Sequence, residues 1–95
     1  MGADINWKFT YPAVEYDPIS KKIILVGRSG MQIYDPITRI VSQALTYSNG
    51  GLEIVQNLIY YPPNRKMYYM LNNGRVFEVT LNRTNFSLST IIEVT

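Results

Sequence analysis

Along most of this 95-residue chain, apolar and polar residues alternate with a period of two. Ile5, Trp7, Phe9 and Tyr11 alternate with Asn6, Lys8 and Thr10, which predicts a half-buried strand over residues 5–11. Phe77, Val79 and Leu81 line one face of another strand, with Glu78 and Thr80 on the other. Phe86, Leu88, Ile92 and Val94 alternate with Ser87, Ser89 and Glu93 and predict a last one. Turn chemistry separates these segments: Asp17-Pro18, Gly27-Arg28-Ser29-Gly30, Asp35-Pro36, Asn49-Gly50-Gly51, Pro62-Pro63-Asn64 and Asn72-Asn73-Gly74. No window sustains a helical period free of glycine or proline. The expected fold class is all-β.

Two runs do not alternate. Ile23 to Val26 and Met67 to Leu71 are continuously apolar. A strand apolar on both sides sits between two covering layers. Both runs are therefore expected to be buried on both faces.

The chain also repeats itself. Tyr16-Asp17-Pro18 aligns with Tyr61-Pro62-Pro63 at an offset of 45, which places Lys22 to Val26 on Met67 to Leu71. Each unit reads as four short strands: residues 13–46 form the first and residues 58–94 the second, within a single all-β unit spanning 1–95. Four antiparallel strands in about 45 residues is the size of one β-propeller blade. The stretch Glu15 to Val26 resembles the first two strands of a YVTN-, NHL- or kelch-like blade, and Gly30 to Arg39 resembles the third strand with its Asp35-Pro36 exit turn. The second unit has Val79-Thr80-Leu81-Asn82 in place of that turn, and neither the Gly-Gly of kelch nor the Trp-Asp of WD40 repeats is present. The resemblance implies two four-stranded antiparallel blades, with strand 5–11 closing a ring by pairing on the final blade. The alternative is a single eight-stranded sandwich or barrel.

Composition narrows the chemistry. There is no histidine and no cysteine, which removes disulfides, imidazole or thiolate metal sites and every His- or Cys-based nucleophile pair. No metal and no cofactor is expected. Asp17 and Asp35 precede prolines, where a carboxylate caps turn N–H groups. The chain is therefore not expected to be an enzyme. Net charge is +2, too mild for a nucleic-acid arm, although Tyr60 to Tyr69 interleaves aromatic and basic residues. Asn82-Arg83-Thr84 and Asn85-Phe86-Ser87 match the N-glycosylation pattern, and a chance match is the expectation in so asparagine-rich a chain. No apolar run approaches 18 residues and Met1-Gly2-Ala3-Asp4 opens no signal peptide, so neither a membrane span nor a secretory leader is expected.

What is left is recognition. Hydrophobic residues make up 46% of the chain against 17% charged, an excess that points to apolar surface meant for a partner. The resemblance implies that Arg28, Ser29, Tyr47, Asn49, Asn72, Asn73 and Arg75 gather on one face and bind a ligand. The expected function is a non-enzymatic recognition or scaffold module acting through protein–protein contact, with a carbohydrate-binding, lectin-like propeller as the alternative. The expected partners are a protein or a glycan, and further blades of a longer chain or copies of itself. Among self-assemblies a trimer is favoured, with Ile24, Val26, Tyr69 and Leu71 as candidates for its outer faces.

Overall fold

Strands form where the alternation places them, and prolines set the turns between. In the computed structural model, which describes residues 13–27, 30–47 and 54–95, the elements run β1 (Ala13–Asp17), β2 (Lys22–Gly27), β3 (Gly30–Asp35), β4 (Ile40–Thr46), β5 (Val55–Tyr61), β6 (Lys66–Leu71), β7 (Val76–Thr80) and β8 (Thr90–Glu93). They make two antiparallel four-stranded sheets, ordered β1-β2-β3-β4 and β5-β6-β7-β8. The chain is all-β, and neither sheet closes into a barrel. The expectations for residues 5–11, including Trp7, lie outside the described residues.

One expected strand is shorter than its pattern. Phe86–Leu88 is a turn of 3₁₀-helix, and β8 starts only at Thr90. The Asn85 carboxamide oxygen accepts from the Ser87 N–H and hydroxyl, and this local capping competes with extension. Asn82 does the same one step earlier, accepting from the N–H groups of Thr84 and Asn85.

Three hairpin turns share one design. Lys21 N–H donates to the Asp17 carbonyl at 2.8 Å, Arg39 to Asp35 at 2.7 Å and Arg65 to Tyr61 at 3.0 Å. Pro18, Pro36 and Pro62 preset the first turn residue, and the basic residue that closes each turn is left-handed, with φ of 61°, 61° and 59°. The carboxylates cap as expected: Asp17 accepts from Ser20 N–H, and Asp35 from Ile37 and Thr38 N–H.

These turns correct the repeat. Pro18 matches Pro62, not Pro63, so the offset across the first two strands is 44 and not 45. In a strand, a shift of one residue exchanges the two faces. The consequence is visible in rows of register partners that cross each sheet. In the first sheet Glu15–Ile24–Ile33–Ser42 lies toward the second sheet, and Tyr16–Ile23–Tyr34–Val41 lies away from it. In the second sheet Tyr60–Met67–Val79–Ile91 lies inward and Ile59–Tyr68–Glu78–Ile92 outward.

The core sits between the sheets. Ile24, Val26, Met31 and Ile33 meet Met67, Tyr69, Leu71, Phe77 and Val79, all essentially buried. Tyr69 and Phe77 are register partners whose rings stack at 5.2 Å and 8°. Ile24, Val26, Tyr69 and Leu71 therefore fill the internal contact and are not outer-face residues, because the one-residue slip had assigned them the wrong side. In β5 a bulge with Asn57 in the left-handed region lets Val55 and Leu58, three residues apart, both face this core. The first apolar run is buried on both sides at Ile24, Leu25 and Val26. The second is not: Met67, Tyr69 and Leu71 are buried while Met70 is 38% exposed.

Candidate functional site

Of the residues expected to bind a ligand, Tyr47, Asn72, Asn73 and Arg75 are described, and they fall at the end of the molecule that carries the β6–β7 turn. Arg28, Ser29 and Asn49 lie outside the described residues. Tyr47 and Arg75 are brought together around Phe77, Tyr47 edge-on at 6.3 Å and the Arg75 guanidinium at 5.3 Å from the ring centre. Asn72 and Asn73 form the neighbouring turn, with Gly74 at a φ of 92°.

Several of their polar atoms are engaged within the fold. Asn72 clips the start of β5, its N–H donating to the Ile54 carbonyl and its carboxamide oxygen accepting from Ile54 N–H at 3.2 Å. The Asn73 carboxamide oxygen accepts from Arg75 N–H at 3.1 Å. Arg75 donates from Nε and Nη2 to both oxygens of Glu93, at 3.0 and 2.8 Å. That hydrogen bond holds the Glu93 carboxyl below the usual range. In this arrangement the cluster pins turns and strand ends.

The remaining described carboxylates are equally engaged. Glu15 accepts from its neighbour Tyr16 N–H and, across the sheets, from Tyr60 N–H at 3.1 Å. Glu78 accepts from the Tyr68 hydroxyl at 2.6 Å and from Lys66 Nζ at 3.2 Å. The Tyr68 bond, then that of Lys66, lowers the Glu78 pKa, and the same bond raises that of Tyr68. Asp17 is fully buried and takes a two-pronged contact from Arg83. Among the described residues, no group of three acidic side chains gathers as a metal site.

A different surface stands open. On the outer face of the second sheet Ile59, Tyr61, Met70, Ile92 and Val94 are exposed, with Tyr68 and Val76 half-buried among them. Tyr61 meets Tyr68 edge-on at 6.2 Å. Asn57, Ile59, Tyr68, Tyr69, Met70 and Val76 line a shallow, mostly apolar depression of about 150 Å³. The polar side chains at its edge, Glu78, Lys66 and Asn64, are already hydrogen-bonded around the Tyr68 hydroxyl. Single exposed apolar residues are ordinary on a protein surface; here five of them share one face of one sheet. The sequence carried a signal for it, the Pro18–Pro62 match, and the 45-residue alignment hid that signal by inverting the faces. Comparison with protein-family models, curated proteins and solved structures returns no match.

Proposed function

We propose that this chain is a non-enzymatic recognition or scaffold module of the β-propeller type that works by protein–protein contact. One observation carries the reading: the outer face of the second sheet exposes Ile59, Tyr61, Met70, Ile92 and Val94, with Ile59 and Ile92 each 52% exposed. Successive four-stranded meanders packed face to face, with first strands β1 and β5 adjacent, support the blade-like arrangement. The described carboxylates support the non-enzymatic part, since each is committed to a turn, a strand end or an ion pair.

Thermal unfolding at graded chain concentrations tests it. A surface covered by another protein chain in the native assembly makes the melting temperature rise with concentration. The expected result is such a rise in the unsubstituted chain, its loss in Ile92→Lys, and no shift with a panel of millimolar sugars. A concentration-independent melting temperature together with stabilisation by one sugar overturns the reading in favour of a lectin.

A further inference from the structure

Two turns of the first sheet share one sequence pattern. Asp17-Pro18-Ile19-Ser20-Lys21 leads from β1 to β2, and Asp35-Pro36-Ile37-Thr38-Arg39 from β3 to β4. The fold accounts for part of the pattern. Each aspartate caps N–H groups of its own turn, each proline presets the backbone, and each last residue closes the turn from the left-handed region. It accounts for neither the isoleucine nor the cation. Turns favour small polar residues, yet Ile19 is 46% and Ile37 86% exposed. Glycine adopts the left-handed region without the steric cost that a Cβ carries, yet Lys21 and Arg39 stand there, as does Arg65 in the β5–β6 turn. A residue kept in an unfavourable backbone region points to a task for its side chain.

The three turns lie at one end of the molecule and are tied together. Lys22 Nζ lies 4.0 Å from Asp35 Oδ2 and links the two turns of the first sheet. Arg83 donates to both Asp17 oxygens and to the Arg65 carbonyl, which links the β1–β2 turn to the β5–β6 turn. Of the described basic residues, Lys22, Lys66, Arg75 and Arg83 pair with Asp35, Glu78, Glu93 and Asp17. Lys21, Arg39 and Arg65 are exposed and have no acidic partner among the described residues. The cations left unpaired are the three left-handed ones, all at the same end.

From this we infer that this end docks an acidic peptide segment of a partner protein, one that interleaves carboxylates with apolar side chains. Its carboxylates meet Lys21, Arg39 and Arg65, and its apolar side chains cover Ile19 and Ile37. The isoleucines favour this occupant over a nucleic acid. Three free cations are few against the phosphates that a nucleic-acid contact neutralises, and a phosphodiester backbone gains nothing from isoleucine. Exposed charge pairs set encounter rate and salt sensitivity more than affinity, and burial of the isoleucines supplies the rest. The surface is separate from the open face of the second sheet. The inference therefore goes beyond the protein-contact reading above and makes no use of that face.

Fluorescence anisotropy of labelled probes tests it. The probes are a synthetic peptide in which glutamate and leucine are interspersed with serine, the same peptide with serine for every leucine, and a single-stranded DNA of equal charge. The first peptide is expected to bind, to weaken as salt rises, and to bind more tightly than the other two. Lys21→Gly combined with Arg39→Gly, substitutions that suit the left-handed backbone, should weaken it about tenfold through the loss of two exposed ion pairs. Ile37→Ser should weaken it as well, whereas Arg39→Lys, which keeps the charge, should retain it. The melting temperature of each variant shows that it is folded. No binding of the first peptide, or binding unchanged in the double-glycine chain, overturns the inference. Equal binding of the second peptide or of the DNA overturns the choice of partner. None of these outcomes alters concentration-dependent melting, which decides the protein-contact reading separately.

Discussion

Arg83 and Asp17, 66 residues apart in the chain, close a bidentate ion pair across the two sheets. Nε donates to Oδ2 at 2.8 Å and Nη2 to Oδ1 at 2.9 Å, while the same Nη2 reaches the Arg65 carbonyl at 3.1 Å. Asp17 is fully buried and the Arg83 side chain is 21% exposed. The pair links the β1–β2 turn to the loop before β8. Removing one member of a buried pair strands the other charge, which costs about 3–5 kcal/mol. Asp17→Asn and Arg83→Met are each expected to lower unfolding free energy by about 3 kcal/mol, the low end because Arg83 keeps some water contact. In urea titrations the double variant should recover part of that loss. Additive losses would show that the two residues do not act as a pair.

The same contact makes stability depend on acid. Burial alone would raise the Asp17 pKa, but the hydrogen bonds from Arg83 and Ser20 outweigh it and hold the carboxyl below its usual value. Asp35, Glu78 and Glu93 are lowered too, by Ile37 N–H, the Tyr68 hydroxyl and Arg75 respectively. A carboxyl whose pKa is lower folded than unfolded contributes full stability above the unfolded value, near 4. That contribution is lost as pH falls through the folded value. Melting temperature is expected to hold at neutral pH and drop steeply below about pH 4. Asp17→Asn should melt lower at neutral pH and show a shallower acid drop.

The left-handed basic residues give a second measurable quantity. Arg39 has a φ of 61° in an exposed turn. A side chain with a Cβ costs roughly 1–2 kcal/mol in that region, while glycine adopts it freely. Arg39→Gly is expected to leave thermal stability unchanged or raise it by up to about 1 kcal/mol. Arg39→Val, branched at Cβ, should lower it by about 1–2 kcal/mol. The opposite order would mean that the Arg39 side chain, not its backbone, matters.

Phe77 anchors the inter-sheet core. Its ring is fully buried, stacked on Tyr69, met edge-on by Tyr47 and capped by Arg75. Phe77→Ala is expected to cost about 3–5 kcal/mol, enough to unfold a chain of this size at room temperature. Circular dichroism would show loss of the β signal.

Assembly is read by light scattering after size exclusion. The expected trimer has a mass of about 33 kDa, three times the 10.9 kDa chain. Six sheets then lie within the four to eight that radial closures use. Met70→Lys, on the open face, should run as a monomer yet keep its intrinsic stability within about 0.5 kcal/mol. A mass of 10.9 kDa for the unsubstituted chain at high concentration would remove the trimer.

Alternation, prolines and glycines by themselves determine that this chain is β throughout and where its sheets turn. They work because side chains on a strand point to opposite faces in succession, and because a proline or a left-handed residue is compatible with few backbone shapes. Asp35-Pro36 and Asn73-Gly74 are legible in this way as turns. Which face each strand buries is not. Offsets of 44 and 45 match the sequence comparably, yet one places Ile24 with Tyr68 and the other with Tyr69, on opposite sides of the sheet. Only the turn geometry, with Pro18 on Pro62, selects the first, and with it the open face at Ile59 and Met70. The Asn85 side chain ends the strand pattern at Phe86 by bonding locally, which alternation does not register. The Asp17–Arg83 pair was equally invisible, since a bond across 66 residues exists only once the sheets have packed.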